Sequence, residues 1–469
     1  MQEKFDLIVI GSGSGLDVAN AAATQHGLKV AIIEKDKMGG TCLNRGCIPS
    51  KLLIHSADVA EIIKHASIFG IKVDGFSVDF EKIVERVNSI TDSNSDNIRK
   101  SYENSVNPKL FANECRFIGK KMIALRGSDM GGDEEIILTA ENILIASGTR
   151  PKIPKINGLQ DSGYITSNES LRLKQQPRTL TFIGGGYITC ELAHFYGSLG
   201  TEINIIQIED VLIPKEDAEI SRRFTEIFSK KYNVYLGYDV ESVSKSDSNT
   251  LHIVAKNKFS GKMLELNSEQ LLVAVGRVPN SDSLDIKKTD VKLDENGFII
   301  VDQYLETNIK GIFALGDVVG RYQYKHSANN EAQYAYHNML VTDTKKVPVD
   351  YTAMPHAIFS SPQVASVGFT EQQLSIKGVD YQKSIYPYIK TGMGEAIEDR
   401  DGFVKFLVNR SDKKILGCHI IGTDASTLIH EVLVAMKAGD GTVGGIAKTI
   451  HIHPALSEVI ARAAEAVDA

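Results

Sequence analysis

Short apolar runs, each closed by glycine, recur along this chain at spacings that predict alternating strands and helices. Residues 5–10, FDLIVI, lead into GSGSG, and after a stretch of small and apolar residues the run VAIIEK follows at 30–35. Residues 5–35 therefore read as strand, glycine-rich turn, helix and strand. The same order returns at 178–210, where RTLTFI leads into GGG and INIIQ closes the unit. Three more runs end in a glycine turn: ILIASGTRP at 143–151, which reads as a buried strand and a domain crossover, LLVAVGRVPN at 271–280, and GIFALGDVVG at 311–320. The last of these places Asp317 directly after a buried strand, where α/β sheets carry ligands; a turn-forming aspartate before a loop is the alternative. From about residue 346 the pattern turns to mixed α and β, and IHIHPALSEVIARAAEAVDA begins a helix near His453 and Glu458. The polar segment GSDMGGDEE around Gly127 predicts a mobile hairpin without a functional role.

Both repeated units fit the βαβ dinucleotide fingerprint. A first glycine permits the tight turn, a second lets backbone approach a pyrophosphate, and the helix N-terminus offers N–H groups and positive potential. In the first copy Gly11, Gly13 and Gly15 lie in the turn, and Glu34 is placed to bond a ribose hydroxyl. The third glycine position holds Leu16, so helix and strand are expected to pack slightly differently there. In the second copy Gly184, Gly185 and Gly186 form the turn and Thr189 takes the third glycine position. The 23-residue step from Gly11 to Glu34 leads from Gly184 to Gln207, so an amide replaces the carboxylate. A 2′-phosphate wants arginines, yet Gln207 is followed by Ile208, Glu209 and Asp210, with Lys215 the nearest base. Those carboxylates favour NAD over NADP. A βαβ unit without ligand is the alternative for this second copy.

Thiol chemistry is concentrated in GGTCLNRGCIPSK at 39–51, where Cys42 and Cys47 have four residues between them. On an ideal helix such residues lie about 8 to 9 Å apart at Cα, whereas a disulfide spans at most about 7 Å. Bridging the pair needs a distorted turn, which Asn44, Gly46 and Pro49 could supply. A strained disulfide near a helix N-terminus reads as redox-active, its thiolate favoured by the helix dipole. Unpaired cysteines and a zinc site are the alternatives. Zinc usually wants four ligands, and no second cysteine pair completes a site, so no metal is expected. Cys115, Cys190 and Cys418 are scattered, and five cysteines in 469 residues fit a reducing compartment. His453 with Glu458 reads as a base and its orienter, because thiol exchange needs a proton acceptor titrating near neutrality. A structural histidine beside a solvated glutamate is the alternative, and His451 is a second candidate. The net charge of −7 without a basic block argues against nucleic acid. No apolar run reaches the roughly 18 residues of a membrane span. With a strand predicted almost from Met1, the expectation is a mature cytoplasmic protein acting on small molecules or proteins.

Taken in order, GSGSG, GGTCLNRGCIPSK, ASGTRP, GGGYITCE, GRVPN, GDV and HIHPALSE resemble the flavin-dependent pyridine nucleotide-disulfide oxidoreductases along essentially the whole chain, most of all the dihydrolipoamide dehydrogenases. The resemblance implies an α/β fold with two Rossmann-like dinucleotide-binding domains, for FAD and NAD, and an α+β C-terminal dimerisation domain. The FAD domain would cover 1–150 and 277–345, the NAD(P) domain 151–276 and the interface domain 346–469. It implies that Cys42 exchanges with substrate and that Cys47 faces the flavin. Lys51 would approach flavin N5 and pair with Glu191, while Tyr187 would gate the nicotinamide pocket. Asp317 would bond the ribityl chain, and Gly40, Thr41, Ser147, Gly148 and Gly316 would line the FAD. Gly276 and Arg277 would lie on the nicotinamide and flavin side. In a homodimer with a shared active site, His453, oriented by Glu458, would serve the partner subunit's disulfide. The substrate would be a dithiol or disulfide such as a lipoyl group on a carrier protein. SGSGL and YKHSANNEA are similar to mycothione reductases, so an NADPH-dependent reductase of a small disulfide is a second reading. A structural flavoprotein subunit of a 2-oxoacid dehydrogenase assembly is a third. A mercuric reductase is disfavoured because the tail lacks a cysteine pair, and a soluble transhydrogenase because Cys42 and Cys47 are present.

Overall fold

The computed structural model describes residues 2–126, 136–247, 250–341 and 345–467. The hairpin expected around Gly127 lies outside the described residues. In chain order the elements begin with β1 Gln2–Ile10, α1 Gly15–His26, β2 Val30–Ile33, α2 Gly40–Arg45, α3 Cys47–His65, α4 Phe80–Glu103, β3 Lys109–Phe111, β4 Glu114–Gly119, β5 Met122–Arg126, β6 Ile137–Ile145 and β7 Thr149–Pro151. They continue with α5 Ser167–Ser170, β8 Thr179–Ile183, α6 Tyr187–Ser198, β9 Glu202–Gln207, α7 Ala218–Lys231, β10 Asn233–Leu236, β11 Tyr238–Lys245, β12 Leu251–Asn257, β13 Met263–Ser268, β14 Gln270–Val273, β15 Arg277–Pro279, β16 Ile312–Ala314 and α8 Lys325–Leu340. The last are β17 Pro355–Ile358, β18 Gln363–Gly368, α9 Glu371–Lys377, β19 Tyr381–Pro387, α10 Gly392–Ala396, β20 Phe403–Asn409, β21 Ile415–Gly422, α11 Ala425–Lys437, α12 Gly444–Ala447 and α13 Glu458–Glu465. Among the described residues no helix is long and apolar enough to cross a membrane.

The chain forms two compact units. The first comprises Met1–Ser50, Val84–Lys152 and Gly276–Asp350. Its sheet runs β3-β2-β1-β6-β5-β4, with β16 paired to β6. The apolar runs seen in the sequence become strands buried on both faces: Ile8, Ile10, Ala31, Ile33, Ile143 and Ile145 enter one core. Leu7, Val9, Val30, Ile32 and Leu144 pack on the other side with Val18 and Ala22 of α1 and Ala332 and Ala335 of α8. Helix α1 stops where Gly27 adopts a left-handed φ of 64° and returns its N–H to Ala22 O, a glycine C-cap. Parallel register aligns Ile10 with Ile33, Ile10 with Ile145 and Ile145 with Ala314, so the residues after these four strand ends emerge along one edge.

The second unit comprises Lys51–Ile83, Ile153–Val275 and Tyr351–Ala469. A parallel sheet β10-β9-β8-β14 repeats the first unit's order of strand, glycine turn, helix and strand on a smaller scale, and an antiparallel β11-β12-β13 sheet adjoins it through a shared core. The C-terminal segment builds the antiparallel sheet β17-β18-β21-β20-β19, with α11 and α13 packed on it.

Candidate active site

In the first unit, the aligned strand ends deliver Gly11, Glu34, Ser147–Gly148 and Gly316–Asp317 to one edge of the sheet. Gly11 donates its N–H to Ile33 O at 2.8 Å, and Ala146 donates to Ile10 O at 2.8 Å. Gly11 sits at φ 102°, and a Cβ there would lie 2.4 Å from Ala146 O, so no other residue closes this turn. Gly15 supplies the close helix-to-strand approach that Leu16 could not, since a Cβ on it would come 2.9 Å from Val9 Cγ1. Glu34 is tied into the turn: Oε2 accepts the N–H of Ser12 at 2.9 Å and its hydroxyl at 2.7 Å, while Oε1 accepts Asp36 N–H at 2.9 Å. Ser12 Oγ also accepts Gly39 N–H at 3.0 Å, which draws Gly40 up to Gly13 of the glycine turn.

Asp317 follows β16 in a short 3₁₀ turn and accepts the Thr149 hydroxyl at 3.0 Å. Arg277 spends its guanidinium on Thr149, at 2.7 Å to Oγ1 and 2.8 Å to the carbonyl. Burial pushes the Asp317 carboxyl above its usual range, partly offset by the charge of Arg277 and the Thr149 bond. The Ser147 hydroxyl is buried without a hydrogen-bond partner. A desolvated donor left unbonded costs about 1–3 kcal/mol, so this edge fits a bound dinucleotide that would supply the missing partner. Gly13 and Gly148 face open space beside it.

The cysteines also belong to this unit. Cys42 lies on α2 and Cys47 opens α3, both half-buried. They are not on one continuous helix: Gly46 breaks it at φ −145° and ψ −118°, so the expected distortion falls on the glycine. Asn44 instead pins the approach to α2, donating Nδ2 to the carbonyls of Met38 and Gly40 at 2.9 and 3.0 Å. Pro49 is tolerated in the first turn of α3, where N–H groups have no helical acceptor.

In the second unit the glycine turn is rebuilt on the same physical plan. Gly184 donates to Ile206 O at 2.9 Å and Ala274 to Ile183 O at 2.9 Å. At φ 105°, Gly184 leaves 2.5 Å between a notional Cβ and Ala274 O. Gln207 takes the place of Glu34: its Oε1 accepts Gly185 N–H at 3.0 Å and its Nε2 donates to Val211 O at 3.2 Å. The amide is thereby buried and spent within the turn. Thr189 donates to Gly184 O at 2.8 Å, satisfying the glycine carbonyl. No side chain caps α6 at Gly186, and its first turn holds no acidic residue, leaving a site that fits a nucleotide phosphate. Tyr187 begins α6 and is 41% exposed.

One turn further along α6, Glu191 is buried and accepts Lys51 Nζ at 2.9 and 2.8 Å. Its Oε1 also accepts the backbone N–H of Phe359 at 3.0 Å, and the Phe359 ring lies 4.6 Å from Lys51 Nζ. Phe359 is a neighbour of this pair that the sequence did not reveal, because it lies directly after β17, 168 residues from Glu191. Thr149 and Ser12 were missed as well, although the ASGTRP and GSGSG motifs contain them.

Near the C-terminus, His453 Nδ1 lies 2.9 Å from Glu458 Oε1, and Glu458 Oε2 accepts Ala455 N–H at 3.3 Å. The hydrogen bond to His453 holds the Glu458 carboxyl below its ordinary range. The His453 side chain is 76% exposed. His451 differs: both its ring nitrogens are engaged, with Glu431 Oε1 at 2.6 Å and Thr449 O at 2.9 Å. Elsewhere in this unit Asp217, Glu219 and Glu371 converge closely enough to hold a cation, but the fully buried Lys405 ammonium already pairs with all three.

Residues 5–333 match the model of the pyridine nucleotide-disulphide oxidoreductases, and residues 354–464 match that family's dimerisation domain. A dihydrolipoyl dehydrogenase of Bacillus subtilis is 33% identical over 484 residues, covering 100% of this chain and 99% of the relative. A mycothione reductase of Mycobacterium tuberculosis is 35% identical over 466 residues, covering 98% and 99%. The Cu(II) complex of RclA, an HOCl-induced flavoprotein disulfide reductase from Escherichia coli, shares the fold with a TM-score of 0.86 at 24% identity, covering 99% of both chains. This chain belongs to the pyridine nucleotide-disulphide oxidoreductases, enzymes that work with FAD and a nicotinamide nucleotide, and it carries their dimerisation domain.

Proposed function

We propose that the protein oxidises dihydrolipoamide to lipoamide with NAD as the final acceptor, through a redox disulfide between Cys42 and Cys47. The observation that carries this reading is the His453–Glu458 pair, an exposed imidazole whose Nδ1 is held at 2.9 Å by a carboxylate. That arrangement fixes the tautomer with Nε2 as the base. His453 takes the proton of a substrate thiol, and the thiolate attacks Cys42 Sγ, forming a mixed disulfide as the Cys42–Cys47 bond breaks. The second substrate thiol then displaces Cys42, its proton passing to the departing Cys42 thiolate, so that the substrate is oxidised to its disulfide and the cysteine pair is reduced. FAD, when bound, supplies the two-electron carrier between that pair and the nicotinamide. Its holders would be the first glycine turn, Gly40, Thr41, Ser147, Gly148 and Asp317. The nucleotide would sit on the second turn with Tyr187 over its pocket. Lys51, oriented by Glu191 and Phe359, keeps a fixed positive charge on α3.

In this reading the FAD domain covers 1–150 and 277–345, with 151–276 for the nucleotide and 346–469 for the interface. The active site is shared across a homodimer, and the lipoyl group arrives on a carrier protein. The spent amide of Gln207 supports a second reading, an NADPH-dependent reductase of a small disulfide, since no carboxylate holds the second turn. Anaerobic titration with dihydrolipoamide, NADH and NADPH separates the two. Rapid reduction of NAD by dihydrolipoamide supports the first; reduction by NADPH without lipoamide turnover supports the second.

A further inference from the structure

Lys325 is the first residue of the sixteen-residue helix α8, and its ammonium reaches α1, the glycine-turn helix of the same unit, donating to Ser14 Oγ at 2.9 Å. Ser14 is 5% exposed and is the N-cap of α1, yet its side chain makes no capping bond. The hydroxyl instead donates to Asn329 Oδ1 at 2.8 Å, one turn beyond Lys325. The N-termini of α1 and α8 and the ammonium are thus drawn together at the turn between Gly13 and Gly15. Among the described residues Lys325 has no carboxylate partner. The first turn of α8 holds no acidic residue, and Asp17, the acidic residue in the first turn of α1, is exposed. Ser327 Oγ, two residues into α8, is buried without a hydrogen-bond partner. A half-buried cation facing two helix N-termini is electrostatically incomplete, and an anion carrying two charges would complete it.

We propose that Lys325 is a direct ligand of the pyrophosphate of the dinucleotide bound at the first glycine turn, its ammonium passing from Ser14 Oγ to a phosphate oxygen. The inference rests on the reading of that turn as the FAD site. Riboflavin lacks the pyrophosphate and so isolates the contact. Apoprotein titrated with FAD and riboflavin by fluorescence is expected to show Lys325→Met weakening FAD about 10- to 100-fold, the range of one charge-assisted hydrogen bond. Riboflavin affinity should stay within about twofold, and Lys325→Arg should recover most of the loss. A second measurement needs no variant: in wild-type apoprotein Lys325 should be acetylated by an amine reagent and be protected by FAD but not by riboflavin. Unchanged FAD affinity in Lys325→Met, equal loss of FAD and riboflavin, or equal protection by both ligands would overturn the proposal. Wild-type protein that takes up riboflavin but gains nothing from the rest of FAD would overturn the reading of the turn, and the inference with it.

Discussion

At the scale of single residues, the charge on Lys51 is held from three sides: by both oxygens of Glu191 and by the face of Phe359. The ring and the backbone N–H of Phe359 do different things, so substitution can separate them. Phe359→Leu keeps the N–H bond to Glu191 but removes the ring, a loss of about 0.5–1 kcal/mol. The expected outcome is a two- to fivefold slower reductive half-reaction with FAD content unchanged, read by stopped-flow absorbance. Cys42→Ser and Cys47→Ser should each cut thiol turnover by about a thousandfold or more, because each removes one sulfur of the pair that the proposed mechanism uses. Full thiol turnover in either variant would sink the mechanism. The glycine turns and the contact of His453 with Glu458 were legible because local spacing carries them. Phe359 was not, since a phenylalanine ending an apolar strand looks like ordinary core until the fold sets it beside Lys51.

Whole elements tell the same story through the two glycine turns. The 23-residue step in the sequence corresponds to one bond made twice, Ser12 N–H to Glu34 and Gly185 N–H to Gln207. What spacing could not show is that the amide at 207 also turns its Nε2 inward to Val211. Because a Cβ on Gly11 or Gly184 would come 2.4 or 2.5 Å from a carbonyl oxygen, alanine at either should open its own turn, at about 1–2 kcal/mol for the left-handed backbone plus the clash. Gly184→Ala is expected to lose NADH binding by fluorescence titration while keeping flavin absorbance, and Gly11→Ala to lose the flavin. Loss of both in Gly184→Ala would show that the turns do not act separately. Strand β17 offers a pH test. His356 Nε2 meets Glu216 Oε1 at 2.7 Å, and Ser366 donates to Glu216 Oε2 at 2.8 Å. Burial works against both charges. Even so, Glu216 raises the His356 pKa above 6.5, while His356 and Ser366 hold Glu216 below 4.5. The His356 contribution is complete below 6.5 and fades as pH rises through its folded value; that of Glu216 is complete above 4.5 and fades as pH falls through its own. His356→Gln should therefore destabilise by about 1.5–3 kcal/mol between those limits, with the gap in Tm narrowing on both sides.

At the scale of the whole molecule, the question is which subunit's histidine serves which subunit's cysteines. The dimerisation domain carries His453 on a surface where Ile450 is 98% and Ile452 79% exposed, apolar side chains that a second copy of the chain would cover. Two inactive variants can decide the matter together. In the proposed mechanism, homodimers of Cys42→Ser lack the exchanging thiol and homodimers of His453→Gln lack the base. When the two are dissociated and reassociated in equal amounts, about half the dimers are mixed by chance. If each site draws its cysteines from one subunit and its histidine from the other, one site in every mixed dimer has Cys42 and His453 both intact. Activity should then return to about a quarter of the wild-type value. If both groups came from the same chain, every site in the mixed dimer would lack one of them, and activity would stay at the level of the separate variants. Mixed dimers formed, verified by differential tagging, but without recovered dihydrolipoamide turnover would place the whole reaction within one chain.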